Sequence, residues 1–170
     1  MSRPLRSQTP ATAFLRACGV AFAEHEYDYV EGGGAAASAA ALGVPEHAVV
    51  KTLVFEDEQR RPLLVLMHGD CTVSTKALAR SIGCKRVASC APRDAERHTG
   101  YRVGGTSPFA TRKALPVYLE RSVLALERVW INGGRRGLLV SLDPRELVRT
   151  LAPRLVQVAR PRATPDAARS

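Results

Sequence analysis

Glycine and proline break this chain so often that every apolar pattern in it ends within a few residues. Ala11–Cys18 has helical apolar spacing and stops at Gly19. The alanine-rich Ala35–Leu42 stops at Gly43 and Pro45, and Thr75–Ile82, with Ser74 as its N-cap, stops at Gly83. Pro92–Arg97 is a short helix opened by proline, and Asp143-Pro-Arg-Glu146 reads as a capping box for a helix through about Leu151. Between these lie segments with strand character: Phe22–Tyr29, Val49–Phe55, Pro62–Met67, Lys85–Ser89, Leu115–Leu119, Val129–Asn132, Gly137–Leu142 and Leu155–Val158. Val49–Phe55 and Pro62–Met67 are joined by the charged turn Glu56–Arg61 and read as neighbours. Short strands interleaved irregularly with short helices predict an α+β fold, a single domain whose mixed, curled, barrel-like sheet is flanked by short helices. The 170 residues suffice for one sizeable core. The expected organisation is a flexible arm over 1–10, a domain over 11–160 and a disordered Pro/Ala-rich tail over 161–170 that carries arginines such as Arg162 and Arg169.

No apolar run is long enough to cross a bilayer, and residues 1–13 lack the apolar core of an export signal. The four cysteines, Cys18, Cys71, Cys84 and Cys90, form no CxxC pair and read as free thiols. A cytoplasmic location is expected. Twenty-five Lys and Arg against sixteen Asp and Glu give a net charge of +9, which favours an anionic partner, nucleic acid being the commonest large one. Aromatic content of 5% argues against a base-stacking platform, so phosphate contacts and shape would dominate recognition.

Two glycine loops stand out. Gly100-Tyr-Arg-Val-Gly-Gly-Thr-Ser-Pro108 offers clustered backbone N–H groups to a carbonyl or phosphate oxygen, and it also suits a tight connection. Gly133-Gly-Arg-Arg-Gly137 either closes a hairpin or sets Arg135 and Arg136 beside free N–H groups for a phosphate. Neither is a nucleotide fingerprint, since GxxxxGK[ST] and a strand-to-helix GxGxxG are both missing; no cofactor is expected. Lys51 would share a strand face with Val49, Leu53 and Phe55, a cation on an apolar stripe. Such a lysine is either partly desolvated and aimed into a cleft or snorkels at a sheet edge. His68 and Cys71 have ligand-like spacing without a second pair, and Cys84, Cys90 and His98 are scattered, so no metal site is expected. No GxSxG elbow is present.

In order along the chain, Lys51-Thr-Leu, Thr99-Gly-Tyr-Arg-Val-Gly-Gly-Thr-Ser-Pro108, Leu115-Pro116 and Val129-Trp-Ile-Asn-Gly-Gly-Arg-Arg-Gly-Leu138 resemble the YbaK family of aminoacyl-tRNA deacylases, free-standing relatives of the editing domain of bacterial prolyl-tRNA synthetases. The likeness runs from about Phe14 to Ala159. It implies a pocket in a mixed α/β, barrel-like domain that clears mischarged tRNA, typically cysteine attached to tRNA for proline. By that resemblance Lys51 positions the acceptor end, Gly104 lies near the aminoacyl ester and Tyr27 lines the pocket, while Ser107 and Pro108 complete the loop. The N–H groups of Gly104 and Gly105 are the expected oxyanion contacts. Thr52, Asn132, Gly133, Arg136 and Leu139 are the further substrate-binding positions that the matching motifs imply.

This chain offers no convincing nucleophile of its own. In the Cys-specific branch, the resemblance implies that the substrate thiol attacks its own ester and leaves as a thiolactone, with the protein supplying orientation. Leu139 stands where those enzymes usually carry aspartate, and Asn132 where serine is common. The alternatives are therefore a water-using deacylase for Ala, Ser, Thr or an analogue, and a non-catalytic module that binds tRNA or a synthetase. The expected partners are the acceptor end of tRNA and prolyl-tRNA synthetase.

Overall fold

A computed structural model describes residues 8–162. Most of the expected arm and tail lies outside these residues. In chain order the elements are α1 (Pro10–Ala17), β1 (Ala23–Glu26), α2 (Gly34–Leu42), a 3-10 turn (Glu46–Ala48), β2 (Val49–Asp57), β3 (Pro62–His68), β4 (Cys71–Val73), α3 (Thr75–Ile82), β5 (Val87–Ser89), α4 (Pro92–Thr99), β6 (Val117–Glu120), a second 3-10 turn (Arg121–Ala125), β7 (Val129–Asn132), β8 (Leu138–Leu142), α5 (Arg145–Leu151), β9 (Arg154–Val156) and β10 (Ala159–Pro161).

The glycine stops work as the local rule requires. Gly43, Gly83 and Gly100 take φ of 66°, 85° and 78° at the C-caps of α2, α3 and α4, a conformation costly to any residue with a Cβ. The Ser74 hydroxyl accepts from Ala77 N, capping α3 as its position predicts. The capping box expected at Asp143 does not form. Asp143 Oδ1 instead accepts from Arg145 N at 2.9 Å, and the Glu146 carboxylate is drawn to Arg149, so α5 starts with no side-chain cap. Arginine engages both carboxylates through two nitrogens or two oxygens, geometry that a single backbone N–H does not offer.

One mixed sheet runs β1-β8-β7-β2-β3-β6-β9, with β5 also paired to β2. Pairing is parallel at β2·β7, β3·β6 and β6·β9 and antiparallel elsewhere. The path has two ends, so the expected mixed sheet is present but not closed into a barrel. β4 and β10 form a separate two-stranded ribbon that the sequence pattern had not shown. Arg162, expected in the tail, pairs with Glu46 at 2.8 Å and belongs to the fold. At the other end Thr9, expected in the arm, is buried: its hydroxyl caps α1 and donates to the Gly133 carbonyl at 2.5 Å.

β3 is the centre. All of Leu63–His68 is buried, because both sheet faces are covered. With period two, Leu66 joins Val50, Ile131, Val140, α1 (Ala11, Leu15) and α5 (Leu147) on one side. Leu63, Val65 and Met67 join Phe55 and α3 (Leu78, Ala79) on the other. Each such fully buried leucine contributes about 2 kcal/mol from burial alone. That double core makes β2, the neighbour of β3 over seven register pairs, a stiff floor.

Candidate active site

β2 has a break along one edge. β7 pairs with it only at Val49 and Val50, and β5 takes up the same strand at Phe55. Between those points no strand covers residues 51–54, and a cleft of about 470 Å³ opens there. α2 and the Tyr29–Gly34 segment wall it on one side, and the glycine loop with the start of α4 on the other.

The cleft gathers Tyr27, Lys51, Thr52, Gly104, Asn132 and Leu139 from the residues expected at the site. The Val54 carbonyl accepts from Cys90 N at 3.0 Å, so the main chain of Val54 faces the open edge. By strand alternation the Thr52 N–H and carbonyl face it as well. The Thr52 hydroxyl is buried and has no hydrogen-bond partner among the described residues. A buried hydroxyl without a partner costs free energy, and such groups concentrate where a ligand supplies the missing bond.

Lys51 is half-buried, and its Nζ donates to the Cys71 carbonyl at 2.6 Å. Burial pulls its pKa below the ordinary lysine value, partly opposed by Cys71, Glu46 and Asp70. One of the three ammonium protons is thus engaged, leaving two donors beside the cleft. Among the described residues no carboxylate lines the cleft.

Gly104 has φ 89°, and a Cβ there would collide with the Tyr29 hydroxyl and ring. Its N–H has no acceptor among the described residues, whereas its carbonyl accepts from Asn132 Nδ2 at 3.1 Å. Asn132 Oδ1 in turn accepts from Gly134 N at 2.7 Å, so one amide ties the two glycine loops together. Arg136 completes the clamp: its Nε donates to the Val103 carbonyl at 2.9 Å, and its guanidinium lies 5.0 Å from the centre of the Tyr29 ring. Arg136 therefore positions the loop and is not among the residues that line the cleft.

Four other expected site residues are not among those that line the cleft. The Gly105 N–H, expected to face the ester, donates to the Arg102 carbonyl at 2.8 Å. A Cβ on Gly105 would sit 2.8 Å from the Arg135 and Arg136 backbone, so glycine there permits close packing of the two loops. Ser107 is fully buried, with its hydroxyl accepting from Phe109 N at 3.2 Å, and Pro108 is buried beside it. Gly133 donates to the Leu138 carbonyl and leaves no room for a Cβ against the Leu138 side chain.

The sequence had not marked Tyr29, Val30, Val103 or Cys90 as part of the cleft. Tyr29 stands two residues from Tyr27, and that spacing was the available signal. Cys90 arrives through the β5 pairing, which no local pattern announces. Burial and the adjacent Glu56 carboxylate push its thiol up to about 11, so it is protonated at neutral pH and is no nucleophile. A Ser–His contact exists, His25 to Ser141 at 2.8 Å, but neither residue lines the cleft, and Arg128 also donates to the Ser141 hydroxyl. Leu139, 4% exposed, packs with Ala39 and Val49 and makes that wall apolar.

Residues 31–150 match the model of the aminoacyl-tRNA editing domain. The chain belongs to the aminoacyl-tRNA editing domain family. Within this family it is 28% identical over 144 residues, 84% of this chain and 88% of the relative, to an Enterococcus faecalis protein provisionally named a Cys-tRNA(Pro)/Cys-tRNA(Cys) deacylase, EbsC. It is 25% identical to a proline–tRNA ligase of Limosilactobacillus fermentum over 88 residues, 49% of this chain but 15% of that enzyme. A crystal structure described provisionally as a trans-editing enzyme for prolyl-tRNA synthetase superposes with a TM-score of 0.79 at 24% identity, covering 91% of this chain and 99% of the other. The editing-domain architecture is therefore the one observed, as a single mixed α/β domain with an open sheet. Among the described residues no helix is long and apolar enough to cross a membrane.

Proposed function

We propose that this editing domain is a trans-editing deacylase that clears mischarged tRNA, with Cys-tRNA(Pro) as its first substrate and the substrate thiol as the nucleophile. One observation carries the reading. The cleft joins the Lys51 cation, an unpaired stretch of strand edge and the Gly104 main chain, while Cys90, the one thiol among its described lining residues, is held protonated. In the proposed step the cysteinyl sulfur loses its proton to water and attacks its own carbonyl carbon. The C–S bond forms, the C–O bond to the terminal ribose breaks, and the ribose oxygen takes up a proton. The product is a thiolactone and free tRNA. The Gly104 N–H donates to the carbonyl oxygen as charge develops on it, and the Lys51 ammonium holds the ribose or terminal phosphate. The Thr52 hydroxyl and main chain fix the aminoacyl group against the floor. With its excess of basic residues the protein would bind the tRNA backbone in a salt-dependent way.

Leu139 favours a second reading. An apolar wall in place of a carboxylate suits a small aminoacyl side chain such as alanine, with water as nucleophile. A panel of Cys-, Ala-, Ser- and Thr-charged tRNA(Pro) separates these readings. Thiolactone release from Cys-tRNA(Pro) supports the first, and turnover of Ala-tRNA(Pro) to free alanine supports the second. Binding of every tRNA with turnover of none leaves a non-catalytic module and refutes both. Retention of prolyl-tRNA synthetase on the immobilised protein tests the proposed synthetase partner.

A further inference from the structure

A cluster of metal-ligating side chains lies outside the chemistry proposed above. A Cβ at Gly69 would come within 2.8 Å of both the Ala35 Cβ and the Val49 carbonyl. Glycine there lets the turn between β3 and β4 lie directly against the 3-10 turn Glu46–Ala48. Asp70 and Cys71 are thereby set beside His47. His47 Nδ1 and Asp70 Oδ1 are 2.8 Å apart, and Cys71 Sγ lies 3.5 Å from the same oxygen. One donor atom from each of the three residues falls within 4.8 Å of the others.

His68, whose spacing from Cys71 had suggested a ligand, is turned away from this cluster. Its Nδ1 meets the His47 carbonyl at 2.8 Å and its Nε2 meets the Ser122 hydroxyl at 2.7 Å. It serves as a shelf: the two imidazoles stack with centroids 3.7 Å apart and planes 8° from parallel. Resting on that buried ring, His47 presents its Nδ1 to Asp70.

The geometry points to a binding site for a borderline-soft divalent cation of the Zn2+ class, held by a His47 ring nitrogen, the Asp70 carboxylate and the Cys71 thiolate. Bonds of about 2.0–2.3 Å in a tetrahedral zinc site place neighbouring donors roughly 3.3–3.8 Å apart. The Asp70–Cys71 separation already meets this. The His47–Asp70 pair is slightly closer because a hydrogen bond, which the metal would replace, joins them. The His47 side chain is 48% exposed and has room to swing to its position. On binding, the Cys71 S–H proton leaves to solvent and a sulfur–metal bond forms, with no change of oxidation state. Glu46 is occupied by Arg162, so the fourth position goes to water. A mixed nitrogen, oxygen and sulfur donor set selects zinc-like ions over Mg2+ and Ca2+, which take oxygen. The site adjoins the cleft through Cys71, whose carbonyl holds the Lys51 ammonium.

Co2+ titration of the full, tag-free chain tests this independently of any deacylase activity. One equivalent is expected to bind, with a near-ultraviolet sulfur-to-cobalt charge-transfer band and the visible bands of a tetrahedral ion, both abolished by excess Zn2+. Cys71→Ser removes the charge-transfer band, and His47→Gln weakens binding by about tenfold or more. Circular dichroism of each variant establishes that it is folded, and Asp70→Asn serves where one is not. Saturation without the band, a band that survives in Cys71→Ser, or no saturable binding overturns the proposal.

Discussion

Replacing Thr52 by valine separates a binding role from a structural one more sharply than any other single change in this protein. Valine keeps the β-branched shape that suits β2 and exchanges only the hydroxyl for a methyl. The Thr52 hydroxyl is buried with no partner among the described residues. An unsatisfied buried polar group costs about 1–3 kcal/mol, so removing it is expected to stabilise the fold by about 1 kcal/mol, the low end because a cleft admits some water. In a domain of this size that raises Tm by about 2–4 °C. Deacylation should move the opposite way, kcat/KM falling about tenfold as the bond to the aminoacyl group is lost, since one hydrogen bond to a charged or developing-charge centre is worth roughly 1.5 kcal/mol or more. Urea unfolding gives the first quantity and single-turnover deacylation of Cys-tRNA(Pro) the second. A Thr52→Val protein that is less stable than wild type refutes the premise that the hydroxyl is unpaired. One that is more stable and equally active refutes its role in binding.

Two further perturbations test the remaining walls. Lys51→Met should abolish deacylation without unfolding the protein. Because burial lowers the folded-state pKa of Lys51, the unfolded chain binds more protons between that value and the ordinary 10.5, and stability rises with pH there. The stability advantage of Lys51→Met is therefore expected to be largest near neutrality and to shrink toward pH 10.5, read by urea midpoints across pH. An advantage that does not change with pH refutes the burial argument. Gly104→Ala and Gly105→Ala should fail differently. At Gly104 the left-handed φ of 89° alone costs about 1–2 kcal/mol, and because the Cβ also meets the end of the Tyr29 side chain beside the cleft, kcat/KM should fall by more than that strain accounts for. At Gly105 it meets backbone atoms at 2.8 Å, so Tm should fall by several degrees, and equal effects in both variants would refute this division of labour.

The helices were legible because their stops are local: Gly43 and Gly83 need left-handed φ whatever surrounds them, and Ser74 caps its own helix. β4 and β10 were not, since Cys71–Val73 becomes a strand only by pairing with Ala159–Pro161, far along the chain. The same limit applies to the site. Lys51, Thr52, Gly104, Asn132, Tyr27 and Leu139 do face one cleft, but the cleft exists because β7 leaves β2 before β5 joins it, a fact of pairing and not of composition. Gly105, Ser107 and Gly133 belong to the same motifs as their neighbours, yet the packing of one glycine loop on the other leaves them out of the cleft lining.

The break in β2 pairing also separates two jobs that many pockets combine. Its floor is main chain, which substitution of a side chain does not alter, and β3 pins it across seven residue pairs. Its walls are side chains from α2, β8 and the glycine loop, among them Ala35, Leu139 and Val103. Exchanges on the walls can re-shape the space for a ligand while the main-chain groups of the floor keep their places. A protein built this way behaves as a chassis with exchangeable panels, in which a wall substitution changes the shape of the space and leaves the frame intact.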